Sequence, residues 1–290
     1  MSAHAAPAKR LTLGDLAAKK DAGERIVMVT AYDHPSAQIA EAAGVDIVLV
    51  GDSAAMVVLG YDSTVPVTTD EMLMLTKAVR RGLNRPLLVG DLPFGSYEAS
   101  DEIAIATAQR FVKEAGVDLV KIERGGTTVD RARALVSAGI PVVGHVGLTP
   151  QTATALGGYR AQGRTAEAAL AVIDDALALQ AAGVSLLVVE AVPSEVTVAL
   201  MPLLDIPVIG IGAGPDADGQ VLVFHDLLGI HAGGAAKFVK RYADLRTAAV
   251  DGVAAYADEV REGVYPAPEH GYRMPEAEAA RLKELRVAGS

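Results

Sequence analysis

The sequence predicts an α/β protein, a closed (β/α)8 barrel with a short helix ahead of it and a helical extension behind, on three observations. First, short runs rich in Val, Ile and Leu recur along the 290 residues without polar alternation, as strands buried on both faces do. Second, four of the helix-like segments between them end in Ala-Gly, at Ala43-Gly44, Ala115-Gly116, Ala138-Gly139 and Ala182-Gly183. Glycine there accepts the left-handed conformation that ends a helix and turns the chain back to the sheet. Third, ionisable residues gather at the C-terminal ends of the apolar runs, the rim at which parallel α/β sheets bind ligands.

Taken in order, residues 12–20 read as a helix that closes one end of the fold, partly exposed because of Lys19 and Lys20. A strand at 25–30 leads to Tyr32-Asp33, and 35–43 is a helix with proline in its first turn. Further strands are expected at 46–50, 86–90, 118–122, 141–144, 185–189 and 207–211, with an eighth, less marked, at 221–225. Strands alternating with helices through right-handed crossovers build a parallel sheet, and about eight close a barrel. The strand count favours that barrel over an open doubly wound sheet. Two connections, 54–69 and 148–164, are longer than a crossover needs, as loops that cover substrate are. Residues 244–260 form an amphipathic helix ending near Gly263, and 275–287 a further helix. The expected organisation is a disordered tail over 1–10, one catalytic barrel over 11–270 and a C-terminal tail over 271–290.

Composition narrows the function. Hydrophobic residues make up 51% and aromatic ones only 4%, so the core is built from Ala, Val, Leu and Ile. A net charge of −10 with no basic stripe argues against a nucleic-acid partner. No stretch approaches the ~20 apolar residues of a membrane span, and residues 1–10 lack the apolar core of a secretory signal. The absence of cysteine excludes disulfides, thiolate metal sites and a cysteine nucleophile, and fits a reducing cytoplasm.

The strand ends carry the chemistry. Val50-Gly51-Asp52-Ser53 and Val89-Gly90-Asp91 repeat one pattern, an apolar strand ending in glycine and a carboxylate. Paired carboxylates in a chain without cysteine suit a hard cation, Mg²⁺ rather than Zn²⁺. Ser53 can donate to a substrate carboxylate or cap a turn. Lys121 and Glu123, two apart, share one side of a strand: inward, they meet an anion and the metal; outward, they are a solvated pair. His145 ends another strand, as a structural histidine or a substrate contact. Glu190 follows Leu186-Leu187-Val188-Val189, where desolvation would suit it to act as a general base. The Gly210 to Gly214 run has the form of an anion-cradling turn or of close packing. A cation, an ammonium and an isolated base point to proton abstraction alpha to the carbonyl of a 2-oxo acid.

These residues lie in motifs that resemble the ketopantoate hydroxymethyltransferase family: Thr30-Ala31-Tyr32-Asp33, Val50-Gly51-Asp52-Ser53, Gly60-Tyr61-Asp62, Asp91-Leu92-Pro93-Phe94-Gly95-Ser96-Tyr97, Val120-Lys121-Ile122-Glu123, Gly144-His145-Val146-Gly147-Leu148-Thr149-Pro150-Gln151, Gly157-Gly158-Tyr159, and Gly210-Ile211-Gly212-Ala213-Gly214 with Asp218-Gly219-Gln220. The resemblance implies a TIM barrel that transfers a one-carbon unit from 5,10-methylenetetrahydrofolate to 3-methyl-2-oxobutanoate, giving 2-dehydropantoate for pantothenate synthesis. By it, Asp52, Asp91 and Glu123 hold Mg²⁺, Glu123 directly or through water; Asp52, Ser53, Asp91 and Lys121 bind the oxo acid; Glu190 accepts the proton. It also implies a cytoplasmic homo-oligomer, commonly a decamer. Two departures stand out: Arg124 intervenes between Glu123 and Gly125-Gly126, which would shift the loop beside the third carboxylate, and residues 273–290 extend past the family's usual ending. The rival class, Mg²⁺-dependent lyases and mutases of the isocitrate lyase type, shares the barrel and acidic site, but isocitrate lyases need a lid cysteine. A barrel that binds a chelated oxo acid without turnover is the non-enzymatic alternative.

Overall fold

A computed structural model describes residues 9–234 and 236–288. Of the tail expected at the N-terminus, residues 1–8 therefore lie outside the described residues. The elements follow as α1 Leu13–Ala22, β1 Ile26–Thr30, α2 His34–Ala42, β2 Ile47–Val50, α3 Ala54–Val57, α4 Thr69–Arg80, β3 Leu87–Asp91, α5 Asp101–Arg110, β4 Leu119–Glu123, α6 Thr128–Ser137, β5 Val142–Gly147, α7 Ala166–Ala181, β6 Leu186–Glu190, α8 Ser194–Leu200, β7 Val208–Ile211, β8 Gly219–Leu222 and α9 Phe224–Leu227. All eight strands are parallel, each beside its sequence neighbour, and β8 pairs with β1 to close the barrel.

Two apolar layers hold this ring. Inside it, Ile26, Met28, Ile47, Leu49, Leu87, Val89, Leu119, Val143, Leu186, Val188, Ile209 and Val221 pack together. Leu16 of α1 joins that interior cluster, so the leading helix plugs one end of the barrel as expected. Lys19 and Lys20 of the same helix are tied down, by Asp46 at 3.2 Å and by Asp218 at 2.9 Å. Outside the ring, the other strand faces pack on the helices, where small residues such as Ala104, Ala108 and Ala176 let the layers approach closely.

Local chemistry sets the helix ends. Thr12 with Asp15 and Thr68 with Glu71 form capping boxes that satisfy the first amides of α1 and α4. At the four Ala-Gly sites, Gly44, Gly116, Gly139 and Gly183 all adopt positive φ, between 68° and 95°. The reading of those dipeptides as helix-to-strand turns holds at every one.

The eighth strand lies earlier than the sequence suggested, at Gly219–Leu222, and His225 belongs to α9 instead. Its composition hides it: it opens with glycine and exposes Gln220, so no apolar run announces it. The glycine is required, because a Cβ on Gly219 would sit 2.3 Å from the Ile26 carbonyl oxygen and 2.7 Å from Ile209 Cδ1. The long connection after Asp52 likewise begins with a helical turn, α3, rather than as open loop.

From Ala243 the chain forms a second compact unit. It contains α10, Leu245–Glu262, capped by the Asp244 side chain and ended by Gly263 at φ 72°, and α11, Glu276–Ala288. Both helices fall where the sequence places them. Among the described residues no helix is long and apolar enough to cross a membrane.

Because the β8 backbone touches β1 at the closure, Gly219→Ala is expected to lower stability by ~1–3 kcal/mol, the usual cost of overpacking. Thermal and urea midpoints equal to those of the parent chain would show that the closure tolerates a Cβ.

Candidate active site

The strands run on further than their apolar sequence indicates. Asp91, Glu123, His145 and Glu190 were expected just beyond strand ends, yet each lies within its strand, whereas Asp52 stands past the end of β2. A parallel ladder does not stop where side chains turn polar: Asp91 pairs in register with Lys121, Glu123 with His145, and Gly147 with Glu190. The ladder itself therefore brings the charged groups side by side.

Asp52, Asp91 and Glu123 converge, with a carboxylate oxygen of each within 4.8 Å of the other two and all three residues buried. Lys121 points inward among them, its ammonium 2.8 Å from Asp91 Oδ1 and 2.8 Å from Glu123 Oε1. The Asp52 backbone N–H donates to Asp91 Oδ2 at 3.0 Å. His145 stands between two carboxylates, Nδ1 3.1 Å from Glu123 Oε1 and Nε2 3.2 Å from Glu190 Oε2, the latter without hydrogen-bond alignment. The side chain of Glu190 retains 15% exposure, so its apolar strand does not seclude it fully.

Three carboxylates against one lysine leave an excess of negative charge. Burial pushes the Asp52 carboxyl well above the usual carboxylate range, and the Asp91 and Glu123 charges add to it. Asp91 is raised for the same first reason, burial outweighing the help of Lys121. Burial also opposes ionisation of Glu123, but Lys121 and His145 together bring it down to about 2. Burial disfavours the His145 imidazolium, yet Glu123 beside it lifts the ring to about 9. Asp52 and Asp91 thus resist ionisation until more positive charge arrives. An all-oxygen, sulfur-free set of this kind fits a hard divalent cation.

Gln151, Tyr97 and Tyr32 stand within the motifs above without a role that their sequence context assigns. Buried Gln151 donates from Nε2 to Asp52 Oδ2 at 3.0 Å and from its backbone N–H to Glu123 Oε2 at 3.1 Å, fixing two of the three carboxylates from one residue. Tyr97 donates its hydroxyl to Gln151 Oε1 at 2.6 Å and accepts from the Glu123 N–H at 3.1 Å. Tyr32 meets Ser53 Oγ at 2.8 Å. Ser53 makes no side-chain cap to α3, and Asp33, which follows β1, is the N-cap of α2. A buried amide holding carboxylates 99 and 28 residues away leaves no local sequence signal.

Backbone strain marks the same rim. Arg124 at φ 81° and Ala191 at φ 47° are the positive-φ non-glycine residues among those described, and they directly follow Glu123 and Glu190. With Arg124 following it, Glu123 stands with Asp52 and Asp91, and the Arg124 N–H donates to the His145 carbonyl at 2.9 Å, extending the ladder by one bond. Gly125 passes so close to Asp175 that a Cβ would overlap its carboxylate. Packing also accounts for the Gly210–Gly214 run, since Gly212 lies under Phe238 and Gly214 against Ser194.

A cavity of about 300 Å³ opens onto these groups, lined also by Ser53 and by Met56, Val57 and Tyr159 from the two long connections. Its polar floor and apolar upper wall suit a small anionic ligand with an alkyl part.

A family model described as ketopantoate hydroxymethyltransferase matches residues 10–268. A 3-methyl-2-oxobutanoate hydroxymethyltransferase of Moorella thermoacetica is 54% identical over 264 residues, covering 91% of this chain and 98% of that one. One from Oleidesulfovibrio alaskensis is 50% identical over 290 residues, covering 100% and 99%. Among solved structures, a phosphonopyruvate hydrolase complexed with oxalate and Mg²⁺ aligns at TM-score 0.58 and 13% identity, over 95% of this chain and 96% of that one. 2,3-Dimethylmalate lyase, of the PEP mutase/isocitrate lyase superfamily, aligns at 0.57 and 17%, over 95% of each. These two likenesses are of fold.

Raised carboxyl pKa values make the stability that Asp52 and Asp91 contribute fully present below the ordinary carboxylate value and lost as pH rises through the raised ones. A divalent cation competes with those protons. The gain in melting temperature on saturating the metal-free protein with Mg²⁺ or Mn²⁺ is therefore expected to grow as pH rises above the ordinary carboxylate range. A gain that is flat or shrinks with pH contradicts the ligand assignment.

Proposed function

We propose, for a chain that belongs to the ketopantoate hydroxymethyltransferase family, that it catalyses Mg²⁺-dependent transfer of a hydroxymethyl group to 3-methyl-2-oxobutanoate through an enolate. The one-carbon donor is 5,10-methylenetetrahydrofolate; with one water, the products are tetrahydrofolate and 2-dehydropantoate, the first committed step of pantothenate synthesis. The observation that carries this reading is a buried carboxylate trio and a His145–Glu190 pair on one small cavity. The family resemblance further supports a cytoplasmic homo-decamer as the working form.

Asp52, Asp91 and Glu123 would hold the Mg²⁺. Bound there, the ion supplies Lewis-acid polarisation of the 2-oxo acid's carbonyl. The chain's own groups do the rest. Ser53, with its hydroxyl oriented by Tyr32 rather than spent on a cap, donates to the substrate carboxylate. Lys121 balances part of the charge of the trio, so that an anionic substrate does not enter an uncompensated negative field. Glu190 takes the proton from C3, the carbon next to the carbonyl. His145, charged because Glu123 faces its other nitrogen, holds the Glu190 carboxylate in place to receive that proton. The apolar wall of Met56 and Val57 accommodates the isopropyl group that carries the proton.

Deuterium wash-in at C3 of 3-methyl-2-oxobutanoate, measured without folate, tests the first half of the reaction. The parent chain with Mg²⁺ is expected to exchange, and Glu190→Gln to exchange at least ~100-fold more slowly while still binding the acid. Exchange at the parent rate in Glu190→Gln would remove Glu190 from the role, and no exchange in the parent would favour a binding protein. Asp91→Asn, which keeps the shape of the site, is expected to weaken Mg²⁺-dependent binding of the oxo acid by about tenfold or more in calorimetric titrations. An unchanged titration refutes its place among the ligands.

A further inference from the structure

The cavity has a second set of ionisable groups, on the β8 side of the ring, that deprotonation of the oxo acid does not use. Asp226, in α9, and His231, just after it, both line the cavity, and His231 Nε2 lies 2.5 Å from Asp226 Oδ1. Each keeps about a quarter of its side chain or less exposed, 26% for His231 and 20% for Asp226. The segment that bears His231 is held as a closed loop over the cavity. The Tyr242 N–H donates to the Leu227 carbonyl at 2.9 Å and joins its ends, and Arg241 donates to the Gly233 carbonyl at 3.0 Å across it. Phe238 pins it by packing on bare Gly212, and Gly234, Ala236 and Phe238 join His231 in the cavity lining. The groups around the pair are His225, whose ring lies 5.4 Å from that of Tyr32 and tilted 50° to it, and Asp33.

A histidine oriented by a carboxylate on one nitrogen is built to exchange a proton on the other. With the Asp226 carboxylate against Nε2, Nδ1 is the ring nitrogen left to exchange a proton. The oxo-acid half of the reaction has its own base, Glu190, and its own charged floor. The other reactant is an amine: the methylene carbon to be transferred is bonded to two nitrogens, and neither C–N bond breaks readily until its nitrogen is protonated. Resting on the reading that such a donor is used, we propose that His231 is the general acid that opens the one-carbon donor and that Asp226 is its positioning residue. Protonated His231 gives its proton to one of the two nitrogens. That C–N bond breaks with its electron pair going to the protonated nitrogen, while the lone pair of the second nitrogen forms a C=N double bond to the carbon. The positive charge passes from imidazolium to iminium, and solvent reprotonates the imidazole. The cavity thereby has separate acid and base, one for each substrate.

The test measures two rates on the full chain with Mg²⁺: C3 deuterium wash-in without folate, and transfer from 5,10-methylenetetrahydrofolate. His231→Asn is expected to lower kcat for transfer ~100-fold, and Asp226→Asn ~10-fold, while wash-in stays within about twofold of the parent. Exogenous imidazole is expected to restore part of the transfer rate in His231→Gly. Loss of wash-in together with transfer would make the pair a clasp for the loop and overturn the proposal. A rise in KM with unchanged kcat would make His231 a binding residue and overturn it too, as would unchanged transfer. Failure of the enolate reading is distinguishable, since the parent would then transfer without wash-in. A parent that does not transfer from this donor ends both.

Discussion

Everything at the rim depends on an imbalance of charge. Asp52, Asp91 and Glu123 are buried within a few ångströms of one another and of a single ammonium, that of Lys121. Buried carboxylates are normally paired, because desolvation makes an unpaired charge expensive. Here the pairing is incomplete by design of the barrel: three strands, β2 to β4, deliver the carboxylates to one place, and only β4 delivers a lysine. The molecule stores that deficit in reluctant ionisation of Asp52 and Asp91, which a cation would relieve.

Holding such a cluster requires a rigid frame. The frame begins with the ladder, since parallel register puts Asp91 beside Lys121 and Glu123 beside His145 whatever their side chains prefer. It continues with Gln151, whose amide is divided between the Asp52 carboxylate and the Leu92 carbonyl, and with Tyr97, which locks Gln151 in turn. The left-handed residues Arg124 and Ala191 fit the same logic. Each lets the chain leave the sheet immediately after a carboxylate, and the conformational cost, about 1–3 kcal/mol at such positions, is sustained by the packed barrel beneath.

What the sequence made legible follows from how local each signal is. The barrel was readable because apolar runs and Ala-Gly turns are local, and the trio was readable because two of its members repeat one apolar-Gly-Asp pattern and the third ends a strand two residues after a lysine. Whether Lys121 and Glu123 faced inward was not readable, since a period of two fixes that they share a side and not which side. β8 was misplaced by residues because close contact with Ile26 demands a glycine where a strand normally shows Val or Ile. Gln151, 99 residues from Asp52, has no spacing that betrays it. Nor did the sequence show that Gly212 lies bare under Phe238, because close packing and an anion cradle demand the same residue.

The fold by itself decides little about chemistry. A phosphonopyruvate hydrolase and a dimethylmalate lyase align along nearly the whole chain at 13% and 17% identity, so one barrel serves reactions that differ in the bond made or broken. What distinguishes this chain must therefore lie in the parts added to the strand ends. The carboxylate floor is supplied mainly by β2 to β4, and His145 and Glu190 by β5 and β6. The remaining arc, β7 and β8, brings almost no charge of its own to the cavity: Ile211 and Val221 are apolar, and the polar groups there, Asp226 and His231, arrive on the connection that follows. A ring divided in this way can bind a small chelating acid on its charged arc and still present a different surface to a second reactant. It has no need to build two pockets, because adjacent strands of one closed sheet already hold the two surfaces within reach of each other.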